Sequence, residues 1–333
     1  MIILGIETSC DETAAAVVEN GQKILSNVVA SSAEIHAKTG GIIPENAARQ
    51  QIKSIIPVLH KSLNKAKIKY QALDAIAVTI GPGLIGSLLV GVETAKTLSY
   101  LWEKPIVPVN HLVGHLYANW LESKPPKFPA IGMVVSGGHT DIVLMKGHGK
   151  LEYLGGTRDD AAGEAFDKIA RLLDIPYPGG PQLSKIADEY RKQNPNVKLN
   201  MFPRPMLDSK DFDMSFSGLK TAVLNKTKKK LDKERFAAEA QEAIVEVLIS
   251  KIMSVVNKYR PASILLAGGV SANNFLRECL ADAFENPRLR SLHIPDIHLC
   301  TDNAAYIASA AYYNYKPIAW QNIISHPGLK ITD

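Results

Sequence analysis

Apolar residues fall into short runs separated by glycine, asparagine and charged positions, and the length of each run decides what it can become. Ile2–Thr8 is a run of strand length. Thr13–Val18 and Lys23–Val29 are two more, and Asn20-Gly21 between them is a strong hairpin signal. Ala75–Ile80 is a buried strand closed by Gly81-Pro82-Gly83, and a helical stretch follows at Gly86–Trp102. Ile106–Val109 predicts another strand, and His111–Leu121 a helix. The second half repeats this order. Strands Ala130–Ser136 and Thr140–Lys146 flank the turn Gly137-Gly138-His139. Strand Ser263–Ala267 closes on Gly268-Gly269 and leads to helix Ala272–Phe284, strand Leu292–Ile294 and helix Asn303–Tyr313. Strands alternating with helices predict an α/β fold with a largely parallel sheet, extended by antiparallel hairpins. Its occurrence twice predicts a duplicated, two-lobed fold with a cleft between lobes at 1–120 and 121–333. Residues 161–259 form a helical insertion in the second lobe.

Length agrees, since 333 residues exceed the usual size of one hydrophobic core. The composition, 46% hydrophobic and 21% charged, is that of an ordinary globular protein. Met1–Ile6 is too short for a signal segment, and the apolar run Ile85–Val92 stops at Glu93. A cytoplasmic protein without a membrane partner is expected. The three cysteines, Cys10, Cys279 and Cys300, are scattered and form no C-x-x-C pair, which excludes a disulfide framework and a cysteine zinc module. The net charge of +5 is unevenly spread: Lys185–Arg235 holds 13 Lys/Arg against 7 Asp/Glu, densest at Lys226–Lys230. Such a cluster can grip phosphates, although a bare lysine run is more often a solvated face.

Two constellations carry chemistry. In His111-Leu112-Val113-Gly114-His115, two imidazoles at i and i+4 share a helix face and can meet one ion. Leu112 stands where a zinc protease needs its glutamate base, which disfavours that chemistry. An acidic third ligand would complete the set, and Asp302 is a candidate; the same residue also suits a helix N-cap, the commoner role for that spacing. The second constellation is the glycine pairs at strand or helix ends: Gly81–Gly83, Gly137-Gly138, Gly179-Gly180 and Gly268-Gly269. Each admits an anionic ligand close to the backbone, and two occupy matching places in the two halves. None is a Walker P-loop or dinucleotide fingerprint.

Taken in order, Gly5–Thr13 (GIETSCDET), His36 with Gly40–Glu45, Gly81–Gly91, His111–His115, Val135–Thr140 (VSGGHT), Asp160–Ala170, Tyr177–Pro181, Ser215–Val223 (SFSGLKTAV), Ala267–Asn273 and Cys300–Ala305 cover nearly the whole chain. They resemble the bacterial TsaD transferases of tRNA threonylcarbamoyladenosine biosynthesis, once labelled O-sialoglycoprotein endopeptidases, which share the actin/Hsp70/sugar-kinase (ASKHA) fold.

The resemblance implies that His111, His115 and Asp302 hold one divalent ion, Fe(II) or Zn(II). It implies that Val134, Val135, Ser136, Gly137, Gly138, Asp167, Gly180 and Asn273 hold threonylcarbamoyl-AMP. Asp11 and Glu12 match acidic residues of the family and are assigned a catalytic role at the phosphate or metal end. The implied reaction moves the threonylcarbamoyl group to an anticodon-loop adenosine of tRNA, with a TsaB-like paralogue and a TsaE-like ATPase as partners. One position departs from the family pattern: Gln51 stands where a histidine is usual. An ATP-dependent sugar kinase of the same fold would leave the histidine pair idle, as a metalloprotease would lack its base.

Overall fold

The computed structural model describes residues 1–228, 232–284 and 291–333. One compact unit comprises Met1–Pro126, Gly147–Leu151 and Pro295–Asp333. It opens with β1 (Ile2–Glu7), β2 (Thr13–Glu19) and β3 (Lys23–Ala30), followed by α1 (Ala33–Thr39) and α2 (Pro44–Ala66). Then come β4 (Ala75–Gly81), α3 (Ile85–Trp102), β5 (Ile106–Asn110) and α4 (His111–Tyr117). The sheet order is β3-β2-β1-β4-β5. β1 pairs antiparallel with β2 and parallel with β4, and β4 pairs parallel with β5.

Alternation along the strands sends Leu4, Ile6, Ala15 and Val17 into one core with Ile55, Val58 and Leu59 of α2 and Val92 and Ala95 of α3. Each large aliphatic side chain buried there contributes about 1.5–3 kcal/mol by leaving water.

The second unit, Lys127–Lys146 and Glu152–Ile294, starts with β6 (Ala130–Val135), β7 (Thr140–Gly147) and β8 (Lys150–Gly156). Four helices follow: α5 (Ala162–Leu172), α6 (Gly179–Gln193), α7 (Ser217–Thr227) and α8 (Lys233–Tyr259). β9 (Ser263–Ala267), α9 (Asn274–Ala283) and β10 (Ser291–His293) complete it. Its sheet order, β10-β9-β6-β7-β8, repeats that of the first sheet from crossover edge to hairpin edge. The duplication expected from the sequence is therefore a duplication of topology. Core residues Ile131, Met133 and Leu266 pack against Phe166 of α5, Leu183 of α6, Leu248 of α8 and Leu276 of α9.

The chain then returns to the first unit with α10 (Ile297–Cys300) and α11 (Ala305–Tyr313). The sequence places all of 121–333 in one lobe; by its contacts, Pro295–Asp333 groups with the first unit instead. The reason is α11, which packs against β1, β2 and α4 through the fully buried Ala305, Tyr306, Ile307 and Ala308. The periodicity reading omits α1, α2, β8 and α10, of which two show why. α2 carries Pro57 within it and a buried stripe of mixed character, Ala47, Gln51, Ile55, Val58, Leu59 and Ser62. β8 is largely solvent-facing over Lys150–Leu154 and lacks a clean alternation. Among the described residues no helix is long and apolar enough to cross a membrane. Lys229 and Lys230 of the lysine cluster lie outside the described residues.

Candidate functional site

β5 ends at Asn110, whose side-chain Oδ1 accepts the N–H groups of Leu112 (2.9 Å) and Val113 (3.3 Å) and so starts α4 at His111. One turn later His115 stands on the same face, with ring centroids 4.6 Å apart. Close packing of α11 on α4 brings Asp302 to this pair. Gly114 permits that approach: a Cβ there would meet Ile307 Cδ1 at 2.7 Å and the Tyr306 ring at 2.9 Å. Asp302 Oδ1 then lies 3.4 Å from His115 Nε2 and 3.7 Å from His111 Nε2.

Asp302 is not the cap of α11. Asn303 takes that part, its Oδ1 accepting from the N–H groups of Ala305 (3.0 Å) and Tyr306 (3.4 Å) while its amide donates to the carbonyls of Leu299 and Thr301. The two readings left open for Asp302 are thus separated by one residue, and its carboxylate is free of helix-capping duty.

Whether the residues fit a metal ion can be asked of their polar atoms. His115 is 1% exposed, its Nδ1 has no hydrogen-bond partner, and its Nε2 has only the Asp302 carboxylate at 3.4 Å. A buried imidazole left so costs free energy unless something else satisfies it. One ligand atom from each of His111, His115 and Asp302 lies within 4.8 Å of the others. Two imidazole nitrogens and one carboxylate oxygen suit Zn(II) and Fe(II) alike, and the set leaves coordination positions open. The donor set fits a divalent ion.

Electrostatics around the triad are strong. Burial opposes charge on His111, but the carboxylates of Glu7 and Asp302 outweigh it and push the imidazole up to about 9. Burial and the neighbouring charge of His111 hold His115 below the ordinary value. Asp302 works against burial as well; the two histidines draw it down to about 2.

The β1–β2 loop, Ser9–Glu12, adjoins this site. Burial and the Asp302 charge raise Asp11 and Cys10. Burial pushes Glu12 up to about 7. Glu12 Oε1 accepts from Ser31 Oγ at 2.8 Å, while its buried Oε2 has no partner. The loop is pinned from below by Gln51, fully buried, whose amide donates to the carbonyls of Cys10 (3.1 Å) and Glu12 (2.8 Å).

In the second unit, the turn after β6 is held by Ser136, whose N–H donates to His139 O (2.8 Å) and whose Oγ accepts from His139 N–H (3.1 Å). A Cβ on Gly137 or Gly138 would meet nothing within 4 Å, so these glycines face open space and are not required for packing. Val134 and Val135 are fully buried in β6 and can offer a ligand only their backbone. Gly179-Gly180 opens α6, and Asp167 Oδ1 accepts the Gly180 N–H at 2.7 Å, bringing two expected site residues together. Asn273 is spent on the protein: it caps α9 through the Leu276 N–H, and its amide donates to Ser184 Oγ and Gln241 Oε1, all at 2.8 Å. Gly81–Gly83 serves packing in the first unit, where Gly81 lies against the backbone of His326.

A family model described as "TsaD: tRNA N6-adenosine threonylcarbamoyltransferase" matches residues 23–309. A relative from Syntrophomonas wolfei named tRNA N6-adenosine threonylcarbamoyltransferase is 50% identical over 94% of this chain and 92% of its own length. One of the same name from Geobacillus thermodenitrificans is 47% identical over 99% of this chain and 96% of its own. The chain belongs to the TsaD family.

Solved structures of other families share the fold of this TsaD-family chain. HypF of T. kodakarensis superposes with a TM-score of 0.63 at 14% identity, covering 93% of this chain and 47% of that one. Component A of the (R)-2-hydroxyglutaryl-CoA dehydratase of Acidaminococcus fermentans does so at 0.55 and 13% identity, covering 97% and 99%. Both speak to the fold alone, a duplicated α/β architecture. Within the TsaD motifs, one residue escaped the sequence reading. Glu7 sits in GIETSCDET as a lone acid ending an apolar strand, and it is 0% exposed beside His111. A charged residue closing a buried strand was the available signal.

Proposed function

We propose that this chain transfers the threonylcarbamoyl group of threonylcarbamoyl-AMP to the exocyclic amine of the adenosine next to the anticodon in tRNAs reading codons that begin with A. The observation that carries this reading is the near-full-length match to relatives bearing that name, over a span that contains His111, His115 and Asp302. The amine attacks the carbamoyl carbon, the bond from that carbon to the phosphate oxygen breaks, AMP leaves, and the amine gives up a proton. His111, His115 and Asp302 hold one divalent ion, Fe(II) or Zn(II), as membership of the family implies. An ion there supplies Lewis acidity for the charge that develops on the carbonyl oxygen. Glu12, with a value of about 7 and an unpartnered buried oxygen, is suited to take the proton near neutral pH. Ser136–Gly138, Gly180 and Asp167 receive the adenylate, and Asn273 supports them as the cap of α9.

The target base is reached in a single-stranded loop, where it can leave its stack. The lysines of the insertion, Lys226 and Lys228 among them, supply charge toward the tRNA backbone. A TsaB-like paralogue, a TsaE-like ATPase and a separate source of the adenylate complete the system, in the cytoplasm. Reconstitution with that source, those partners and unmodified tRNA tests it, read by mass spectrometry of the digested nucleosides. Threonylcarbamoyladenosine with matching AMP release is expected. Its absence, with the adenylate shown to be present, overturns the reading.

A further inference from the structure

Glu7 is an ionisable residue in a place where the fold asks for an apolar one. It ends β1, directly after the core residue Ile6, and it is completely buried. An isolated buried carboxylate is costly, so its partners matter. Oε1 accepts the Ser9 N–H at 2.5 Å, and Oε2 accepts the Thr79 hydroxyl at 2.7 Å. The remaining contact is His111 Nδ1, 3.0 Å from the same Oε2. Ser9 Oγ also lies 3.1 Å from that nitrogen, and a hydroxyl can accept as well as donate.

A carboxylate only accepts, so His111 Nδ1 faces an acceptor and carries the proton. An ion arriving at the site displaces the proton of the other ring nitrogen, Nε2, which is the one facing Asp302 at 3.7 Å. We infer that Glu7 is a positioning residue for the ion site, holding His111 by Nδ1–H so that Nε2 is presented as the ligand atom. This rests on the reading of His111, His115 and Asp302 as ligands. A carboxylate behind a ligating imidazole fixes its orientation and raises its basicity, and losing such a partner costs about 10–100-fold in metal affinity. Glutamine at this position cannot serve all three donors. Either its NH₂ faces the Ser9 N–H, or it faces Oε2's former partners and asks Nδ1 to accept.

The test uses the full chain loaded with zinc alone. Long-range ¹H–¹⁵N imidazole spectra of the zinc-loaded wild type should show His111 protonated on Nδ1 and metal-bound through Nε2. In Glu7→Gln the zinc Kd, read by competition with a chromophoric chelator, should rise about 10–100-fold. A Thr79→Val control, which leaves the His111 contact in place, should change it far less. Coordination through Nδ1, or an unchanged Kd in a folded Glu7→Gln, overturns the inference. If Glu7→Gln does not fold, the wild-type spectrum decides alone. Failure of the wild type to bind zinc at all would instead remove the ligand reading on which this rests, a result distinct from zinc bound through the wrong nitrogen.

Discussion

Replacing Asp302 and Asn303 one at a time separates metal binding from helix capping. Asn303→Ala removes the acceptor for two α11 N–H groups and the donors to the carbonyls of Leu299 and Thr301 in a buried setting. A lost cap costs about 1 kcal/mol, and unsatisfied buried carbonyls raise the sum to about 2–4 kcal/mol. That loss should appear equally with zinc and with chelator. Asp302→Ala has no cap to lose. Without metal it gives up its contacts to His115 (3.4 Å) and His111 (3.7 Å), a metal-independent loss that the chelator arm measures directly. Zinc at 100 times its Kd stabilises the wild type by about 2.7 kcal/mol; a site weakened 100-fold gains only about 0.4 kcal/mol at that concentration. Thermal unfolding of both variants, with zinc and with chelator, is the assay. Expected is a zinc-dependent gain kept by Asn303→Ala and nearly lost by Asp302→Ala, with Asp302→Asn in between because an amide is the poorer ligand. A full zinc-dependent gain in Asp302→Ala would refute the assignment of Asp302 as the third ligand.

Because burial raises Glu12 to about 7, it is half ionised near neutrality. Single-turnover transfer should rise with pH through that value, and Glu12→Gln should abolish the rise; an unchanged profile removes Glu12 as base. The folded state binds this proton more tightly than the unfolded chain, with its ordinary 4.5, so stability should fall as pH rises from about 4.5 through 7. Glu12→Gln flattens that slope in urea titrations at a series of pH values. Gly114→Ala should cost about 1–3 kcal/mol by overpacking, since the new methyl meets Ile307 and Tyr306. It should also weaken zinc binding, and a variant of wild-type stability would show that α4 and α11 do not meet this closely. Gln51→Leu leaves the carbonyls of Cys10 and Glu12 without donors, at about 1–3 kcal/mol each. A melting temperature equal to the wild type's would show that the loop needs no such pin.

Much of the architecture was legible because its causes are local. A strand needs an apolar run of strand length, a hairpin needs Asn20-Gly21, and a helix opening on His111 needs Asn110 before it. The spacing of His111 and His115 is a property of one helix, so both ring positions follow from the chain order alone. What the chain order could not say is which distant residue completes the pair. Asp302 and Asn303 are adjacent, and both types suit a cap or a polar contact. Only the packing of α11 on α4, across Gly114, sends one carboxylate to the histidines and the other side chain to the helix start. Glu7 was hidden for the same reason: its three partners come from β1's own loop, from β4 and from α4, and only the assembled sheet brings Thr79 and His111 to its oxygens. Gln51 read as a departure from a family pattern, and its burial beneath the Ser9–Glu12 loop turned it into a two-bond support. Periodicity, turns and caps are written in neighbouring residues; a site assembled from four elements exists only once burial has brought them together.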